Sequence, residues 1–247
     1  MMISLKYLRA AIAGAALTMI ALPHAASAMD KAEVEKIVRE YLLANPELLN
    51  EMIAELQKRD EAAAGEKAKT GIAANRDALM NDGFSHVAGN PDGDVTVIEF
   101  FDYRCGYCKK VAPDVIALLD QDKGVRLVLK EFPILSKTSE EAARAAMASL
   151  NQGGDLYWKF HNAMLMADSL DSAAIYDIAA GQGLDLARLK KDMADPSIDE
   201  KLKKTRDLAK QIGVDGTPAF IIGDRLVPGA VAVDELKTLV DAQRSGG

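Results

Sequence analysis

"DVTVIEFFDYRCGYCKKVAPDVIALLDQ", residues 94 to 121, holds both cysteines of this 247-residue chain, Cys105 and Cys108. Val95 to Phe101 is almost continuously apolar and rich in β-branched and aromatic residues, which predicts a buried strand. From Lys109 onward, Val111, Val115, Leu118 and Leu119 recur at helical spacing, which predicts a helix with one inward face. "VRLVLKEF" then repeats the strand composition from Val125 to Glu131. Strand, helix and strand within about 37 residues form a β-α-β unit, whose two strands are expected to be parallel. The cysteine pair sits where the first strand gives way to the helix.

Downstream the pattern is helical from about 137 to 195, through "SEEAARAAMASL", "DLYWKFHNAMLMA", "SAAIYDIAAGQG" and "DLARLKKDMAD". Ser139 is read as the N-cap of the first of these. "SIDEKLKKTRDLAKQIG" continues as a helix to about Ile212. "TPAFIIGDRLVPG" then returns to strand chemistry, with Gly223-Asp224 as a two-residue hairpin turn. "VAVDELKTLVDAQ" closes the chain as a helix. The order predicts an α/β chain with a thioredoxin-like fold over 83–247, interrupted by a helical insertion at about 137–195.

Upstream, residues 31 to 56 read as two amphipathic helices. Val34, Ile37, Val38, Tyr41 and Leu42 stripe the first, and Leu48, Leu49, Met52, Ile53 and Leu56 the second. Asn45-Pro46 is read as N-cap and first residue of the second helix. From Gln57 to about Thr70 the stripe fades, which predicts an exposed helix or semi-flexible linker. Two short helices bury both faces poorly alone, so they fold back on the main domain or meet copies of themselves. Residues 29–82 are taken together as this helical segment and its linker.

The first 28 residues carry Lys6 and Arg9, then an apolar stretch from about Ala10 to Leu22, and end in Ala26-Ser27-Ala28. That is the layout of a secretory signal peptide cleaved after Ala28. The apolar stretch is short of the ~20 residues that a membrane span needs. Removing 28 of 247 residues leaves 219, and losing two cations takes the formal net charge from −7 to −9. An acidic chain without a dense basic block argues against nucleic acid as a partner. No later stretch is long and apolar enough for stable membrane insertion.

Export places the two cysteines in an oxidising compartment. As a staple the pair would close only a four-residue loop, giving ~2 kcal/mol at best against ~4.7 for a hundred-residue loop. Structural zinc usually takes four ligands, and the other soft candidates, His86 and His161, stand alone in sequence. A reactive pair fits better. Cys105 falls at the helix start, where unpaired N–H groups and the positive dipole end favour an anion. Arg104, Lys109 and Lys110 add cations, and a thiolate is the reactive species. Cys108, one turn in, is expected to be more buried. A lone C-x-x-C is a weak signal. At a strand-to-helix junction, with Gly216-Thr217-Pro218 before a later strand, it is a strong one.

These motifs resemble the Dsb family of periplasmic thiol-disulfide oxidoreductases. "FFDYRCGYCKK" is similar to its active-site helix start, and "GTPAFIIGDRLVPG" to its cis-proline loop and hairpin. The Gly106-Tyr107 dipeptide and Thr217 resemble DsbC-type isomerases, whereas DsbA-type oxidases carry Pro-His between the cysteines. The helical insertion looks like the DsbA architecture. "IVREYLLANPELLNEMIAEL" is similar to the N-terminal oligomerisation segment of ScsC-type proteins, some of which trimerise and which are linked to copper tolerance.

The resemblance implies catalytic roles for Cys105 as nucleophile, Cys108 as resolving cysteine, Pro218 as cis-proline, Thr217 beside it and Glu99 as a buried acid. It also implies client contact at Thr217, Tyr107 and Gly216. Read on its own, Glu99 is either that acid or a solvated strand-end residue. Lys130 is either its partner or an edge charge, and His161 a packed histidine rather than a ligand. Tyr107 covers the pair or offers an apolar contact. Lacking a histidine there, the pair is expected to be a milder oxidant than DsbA's. The implied function is a periplasmic disulfide isomerase or reductase acting on misbridged exported proteins. It would be kept reduced by a DsbD-type membrane thiol reductase and assembled as a homo-oligomer, with a trimer favoured. It would need no cofactor and no metal beyond its redox-active disulfide. The alternatives are a DsbA-like oxidase and a copper-binding protein using both thiolates, since soft thiolates suit Cu(I).

Overall fold

The computed structural model describes residues 30–246, so the expected signal peptide at 1–28 lies outside the described residues. The chain divides into two compact units, with the boundary between Ala54 and Glu55.

In the first unit, α1 spans Lys31–Ala44 and α2, Leu48–Ala74, begins. Asn45 does not cap α2, and Pro46 is not its first residue. Instead Asn45 closes α1, its backbone N–H and its side-chain Nδ2 both donating to the Tyr41 carbonyl at 3.0 and 2.8 Å. The last carbonyls of a helix lack intrahelical donors, and the Asn45 amide supplies one. No residue of α1 is buried. Val34, Ile37, Val38, Tyr41, Leu42, Leu49, Met52 and Ile53 are all exposed.

The second unit is built on a five-stranded sheet of order β1-β3-β2-β4-β5. Its strands are β1 (His86–Gly89), β2 (Val95–Phe101), β3 (Val125–Glu131), β4 (Ala219–Ile222) and β5 (Arg225–Pro228). β2 and β3 are parallel, joined by α4 (Gly106–Gln121), and the other pairings are antiparallel. β1, a four-residue edge strand, was not legible in the sequence. Helices α5 (Lys137–Ser149), α6 (Gly154–Met166), α7 (Ser172–Gly181) and α8 (Leu186–Met193) follow β3. Then come α9 (Pro196–Ile212) and, after the hairpin, α10 (Val233–Arg244). Ser136, not Ser139, caps α5, its hydroxyl accepting from the Ser139 N–H.

Strand alternation sorts the core. Val97, Phe101, Leu127 and Leu129 face one side, where α4, the α5–α8 helices and α10 pack. Ile98, Phe100 and Val128 face the other, against Ile72 of α2, Leu208 and Ile212 of α9, and Leu79 of α3 (Arg76–Met80). The expected boundary at 82/83 therefore moves back to 54/55. Of the two readings for 57–70, exposed helix or linker, the helix holds throughout; Ala68 within it and Gly71 and Ile72 just beyond it are buried. Gly71 permits the close approach of α2 to α9. A Cβ there would lie 2.7 Å from the Gln211 carbonyl oxygen and 2.9 Å from the Ile212 Cα.

Lys130 overturns both readings offered for it. Its register partner is Phe100, not Glu99, so it points to the opposite face from Glu99. It is fully buried, and its Nζ lies 2.6 Å from Asp82 Oδ2 and 2.9 Å from the Ala78 carbonyl. Burial works to raise the Asp82 carboxyl, but the Lys130 charge and hydrogen bonds prevail and hold it below the usual range. Truncating one partner leaves the other charged and unpaired in a dry site. Lys130→Ala is therefore expected to destabilise the fold by about 3–5 kcal/mol in urea unfolding. A loss under about 1 kcal/mol would mean that the pair behaves as a surface ion pair.

Candidate active site

The β2 strand runs straight into the cysteine pair. Cys105 is the N-cap residue of α4, with its backbone N–H donating to the Asp102 carbonyl at 3.0 Å. Cys108 lies one turn into the helix with no exposed surface, whereas Cys105 keeps 6%. Both are free thiols. Antiparallel register between β2 and β4 sets Phe100 beside Ala219, so the residues just before β4 lie next to the end of β2. Thus the Cys105 Sγ–H donates to the Thr217 carbonyl at 3.1 Å, across 112 residues of sequence. The Thr217–Pro218 peptide bond is cis. A cavity of about 240 Å³ adjoins this loop, lined in part by Gly216, Thr217, Pro218, Ala219 and Pro228. Tyr107 projects outward, 66% exposed, as a side chain available for contact.

Beneath the pair lies Glu99, 2% exposed rather than solvated. Burial alone pushes its carboxyl up to about 8. Burial likewise pushes the Cys108 thiol far above its ordinary value; the Asp102 backbone hydrogen bond opposes this, and the charges of Glu99 and Cys105 add to it. Ionising Cys108 therefore needs a nearby proton acceptor, and Glu99 is placed to interact with it. The cations expected beside Cys105 are differently engaged. Arg104 Nη1 donates to the Leu170 carbonyl at 2.9 Å and Lys109 Nζ to the Ala167 carbonyl at 2.5 Å. They tie the α6–α7 loop to the start of α4.

Two acids were missed in the sequence. Glu131 is buried at the end of β3, its Oε1 accepting from the Tyr103 hydroxyl at 3.0 Å and the Tyr157 hydroxyl at 2.8 Å. His161 is a packed histidine, 2% exposed, with Nδ1 3.0 Å from the Tyr103 hydroxyl. Asp102 is buried under the turn into α4. Its Oδ1 accepts the Arg104 N–H at 2.8 Å, a side-chain turn that Asp favours two residues before its donor. That spacing was a readable signal; its remaining contacts were not. Among the described residues no His, Cys, Asp or Glu cluster of three or more is placed to hold a metal.

Glu99 leads to a pH prediction. Burial raises the Glu99 carboxyl from its ordinary 4.5 to about 8, so the folded state holds the extra proton between them. Stability from this group falls as pH rises through that window. Glu99→Gln is expected to be more stable than the parent at pH 8, by on the order of a few kcal/mol. The difference should vanish below about pH 4.5. Equal thermal midpoints for the two proteins at pH 8 would contradict a buried, unpaired acid.

A strand-to-helix C-x-x-C, one thiol enclosed and the other against the loop before β4, defines the thiol-disulfide oxidoreductases on a thioredoxin-like sheet. The chain belongs to the DsbA-like thioredoxin family. The DSBA-like thioredoxin domain matches residues 96–241, and the copper resistance protein ScsC N-terminal domain matches residues 30–63. A thioredoxin-like oxidoreductase from Silicibacter pomeroyi is 43% identical, with a TM-score of 0.67 over 69% of this chain and 98% of that one. A linker-deletion mutant of Proteus mirabilis ScsC is 27% identical, with a TM-score of 0.70 over 90% of this chain and 100% of that one. A Na(+)/H(+) antiporter NhaA 3 of Salinispora tropica is 32% identical over 158 residues, 63% of this chain. The chain spans only 24% of that antiporter's length. Among the described residues no helix is long and apolar enough to cross a membrane.

Proposed function

We propose that this oxidoreductase is a protein disulfide isomerase and reductase of exported proteins. The carrying observation is the asymmetry of the pair, with Cys105 at the helix start against the Thr217 carbonyl and Cys108 enclosed beside a buried acid. The Cys105 thiolate attacks one sulfur of a wrong client disulfide. A Cys105–client bond forms, the client bond breaks, and the displaced client sulfur leaves as a thiolate that takes up a proton. A second client thiolate then attacks the mixed disulfide, making a new client bond and returning Cys105 with no net redox change. Where none does, the ionised fraction of Glu99, which grows as pH rises towards 8, accepts the Cys108 proton and the Cys108 sulfur attacks Cys105. The client leaves reduced and the protein carries the Cys105–Cys108 disulfide.

That disulfide needs two electrons from outside, which a DsbD-type membrane thiol reductase would supply. The chemistry needs no cofactor beyond the pair itself. Gly106-Tyr107 places no cation between the thiols to favour the reduced form, which suits an isomerase better than a strong oxidant. Cys105, Cys108, Glu99, Thr217 and Pro218 carry the exchange, and Tyr107, Thr217 and Gly216 meet the client. Export by residues 1–28 to the periplasm, and assembly through the exposed stripe of α1 and α2 into a trimer, complete the reading.

Refolding of scrambled ribonuclease by the mature protein, together with the redox state of Cys105 and Cys108 in cells, tests this. Rescue of ribonuclease and a reduced pair are expected. A pair held oxidised, with no rescue, would instead indicate an oxidase, and tight Cu(I) uptake without exchange a copper carrier.

A further inference from the structure

The ladder between β2 and β3 continues one residue beyond the strands, with the Phe132 N–H donating to the Phe101 carbonyl at 2.9 Å. Pro133 has no N–H and ends it. The next two N–H groups, of Ile134 and Leu135, are both taken up by Asp102 Oδ2, at 2.9 and 3.0 Å. The other oxygen, Oδ1, holds the Arg104 N–H, and the Asp102 carbonyl holds the Cys105 N–H. One carboxylate, 1% exposed, thus joins the loop that leads into Cys105 to the loop between β3 and α5. Three N–H groups share one buried carboxylate, at ordinary hydrogen-bond distances.

The loop held this way turns two large apolar side chains to solvent, Ile134 at 40% and Leu135 at 54% exposure. Tyr107, also exposed, sits between the cysteines. Ile134 and Leu135 leave about half of their apolar surface open to solvent. An apolar loop surface that a buried carboxylate joins to the turn leading into Cys105 suits an extended apolar segment of an unfolded client. Building on the oxidoreductase reading, we infer that Asp102 is a positioning residue for client selection. It holds Ile134 and Leu135 in register with Cys105, so that a disulfide flanked by apolar residues is preferred over a small polar one.

The test compares kcat/KM for two disulfides: oxidised glutathione, and a disulfide-linked peptide with leucine and phenylalanine beside its cysteine. The measured quantity is the ratio of peptide to glutathione. Ile134→Ser with Leu135→Ser is expected to lower that ratio about tenfold, as lost contact of two half-exposed apolar side chains should. Asp102→Ala should lower it similarly, through KM for the peptide. Asp102→Asn, which keeps one acceptor oxygen, should recover part of the loss. Combining Asp102→Ala with the loop changes should lower the ratio little further, because both act through one loop.

An unchanged ratio in the exposed-loop variant overturns the inference even if Asp102→Ala fails to fold. Fully multiplicative effects overturn it too, since Asp102 would then act on the cysteines alone. A parent protein that reacts with neither disulfide would sink the oxidoreductase reading itself, a different result from an active parent with an unmoved ratio.

Discussion

Cys105→Ala is expected to abolish insulin reduction and disulfide exchange, while Cys108→Ala accumulates client proteins joined through Cys105. The asymmetry of burial is the reason. A client disulfide must reach the attacking sulfur in line, and Cys105 is the residue of the pair that retains exposed surface, at the start of α4 with its sulfur against the Thr217 carbonyl. Removing it removes the nucleophile, and no other thiol in the chain can replace it, since Cys108 is fully enclosed and burial holds it protonated. Removing Cys108 leaves the first step intact. The mixed disulfide forms, but the intramolecular attack that would clear it is lost. Non-reducing electrophoresis of the two variants with reduced and disulfide-bonded clients checks this. Equal trapping by both variants would mean that the roles of nucleophile and resolving thiol are wrongly assigned.

Deleting residues 29–56 is expected to convert an oligomer into a monomer that still reduces insulin but loses most isomerase activity. Val34, Ile37, Val38, Tyr41, Leu42, Leu43, Leu49, Met52, Ile53 and Leu56 are all exposed in the chain by itself. A soluble monomer's largest apolar patch is usually about 300–600 Å², and ten such side chains along two helices make more than that. Burying each fully is worth about 1.5–3 kcal/mol, so partial burial between copies is enough to offset the entropy of association. Insulin reduction uses one Cys105 at a time and should survive the deletion. Rearranging a misbridged client gains from several Cys105 sites held on one assembly, and should not survive it. The larger compact unit begins at Glu55, so the deletion leaves its buried helix residues Ala68, Gly71 and Ile72 in place. Light scattering of the mature protein at micromolar concentration settles the premise, and a monomeric mass there would remove it.

The sequence alone determined the features that depend on local period and local chemistry. Largely apolar seven-residue runs bounded β2 at Val95–Phe101 and β3 at Val125–Glu131, and the Gly223-Asp224 turn located the hairpin between β4 and β5. The cysteine spacing at a strand-to-helix junction was legible too, and Cys105 does cap α4 with Cys108 one turn in. Where two local signals competed within a few residues, the sequence did not choose. Asn45 could start one helix or close another, and its amide went to the orphan Tyr41 carbonyl. A four-residue edge strand such as β1 carries too few residues to show a period.

Tertiary structure alone decided every contact made across the sheet. Which face Lys130 takes follows from register with Phe100, and its partner Asp82 lies 48 residues away. Thr217 meets Cys105 because β4 pairs antiparallel with β2. Glu99 and Glu131 are acids like any other in sequence; burial raises their carboxyls to about 8. Asp102 reads as a turn former, yet two of its hydrogen bonds go to N–H groups 32 and 33 residues downstream that Pro133 leaves without a ladder partner. Local propensity is set by nearest neighbours along the chain, whereas the charge, burial and reach of these side chains are set by neighbours that only folding supplies.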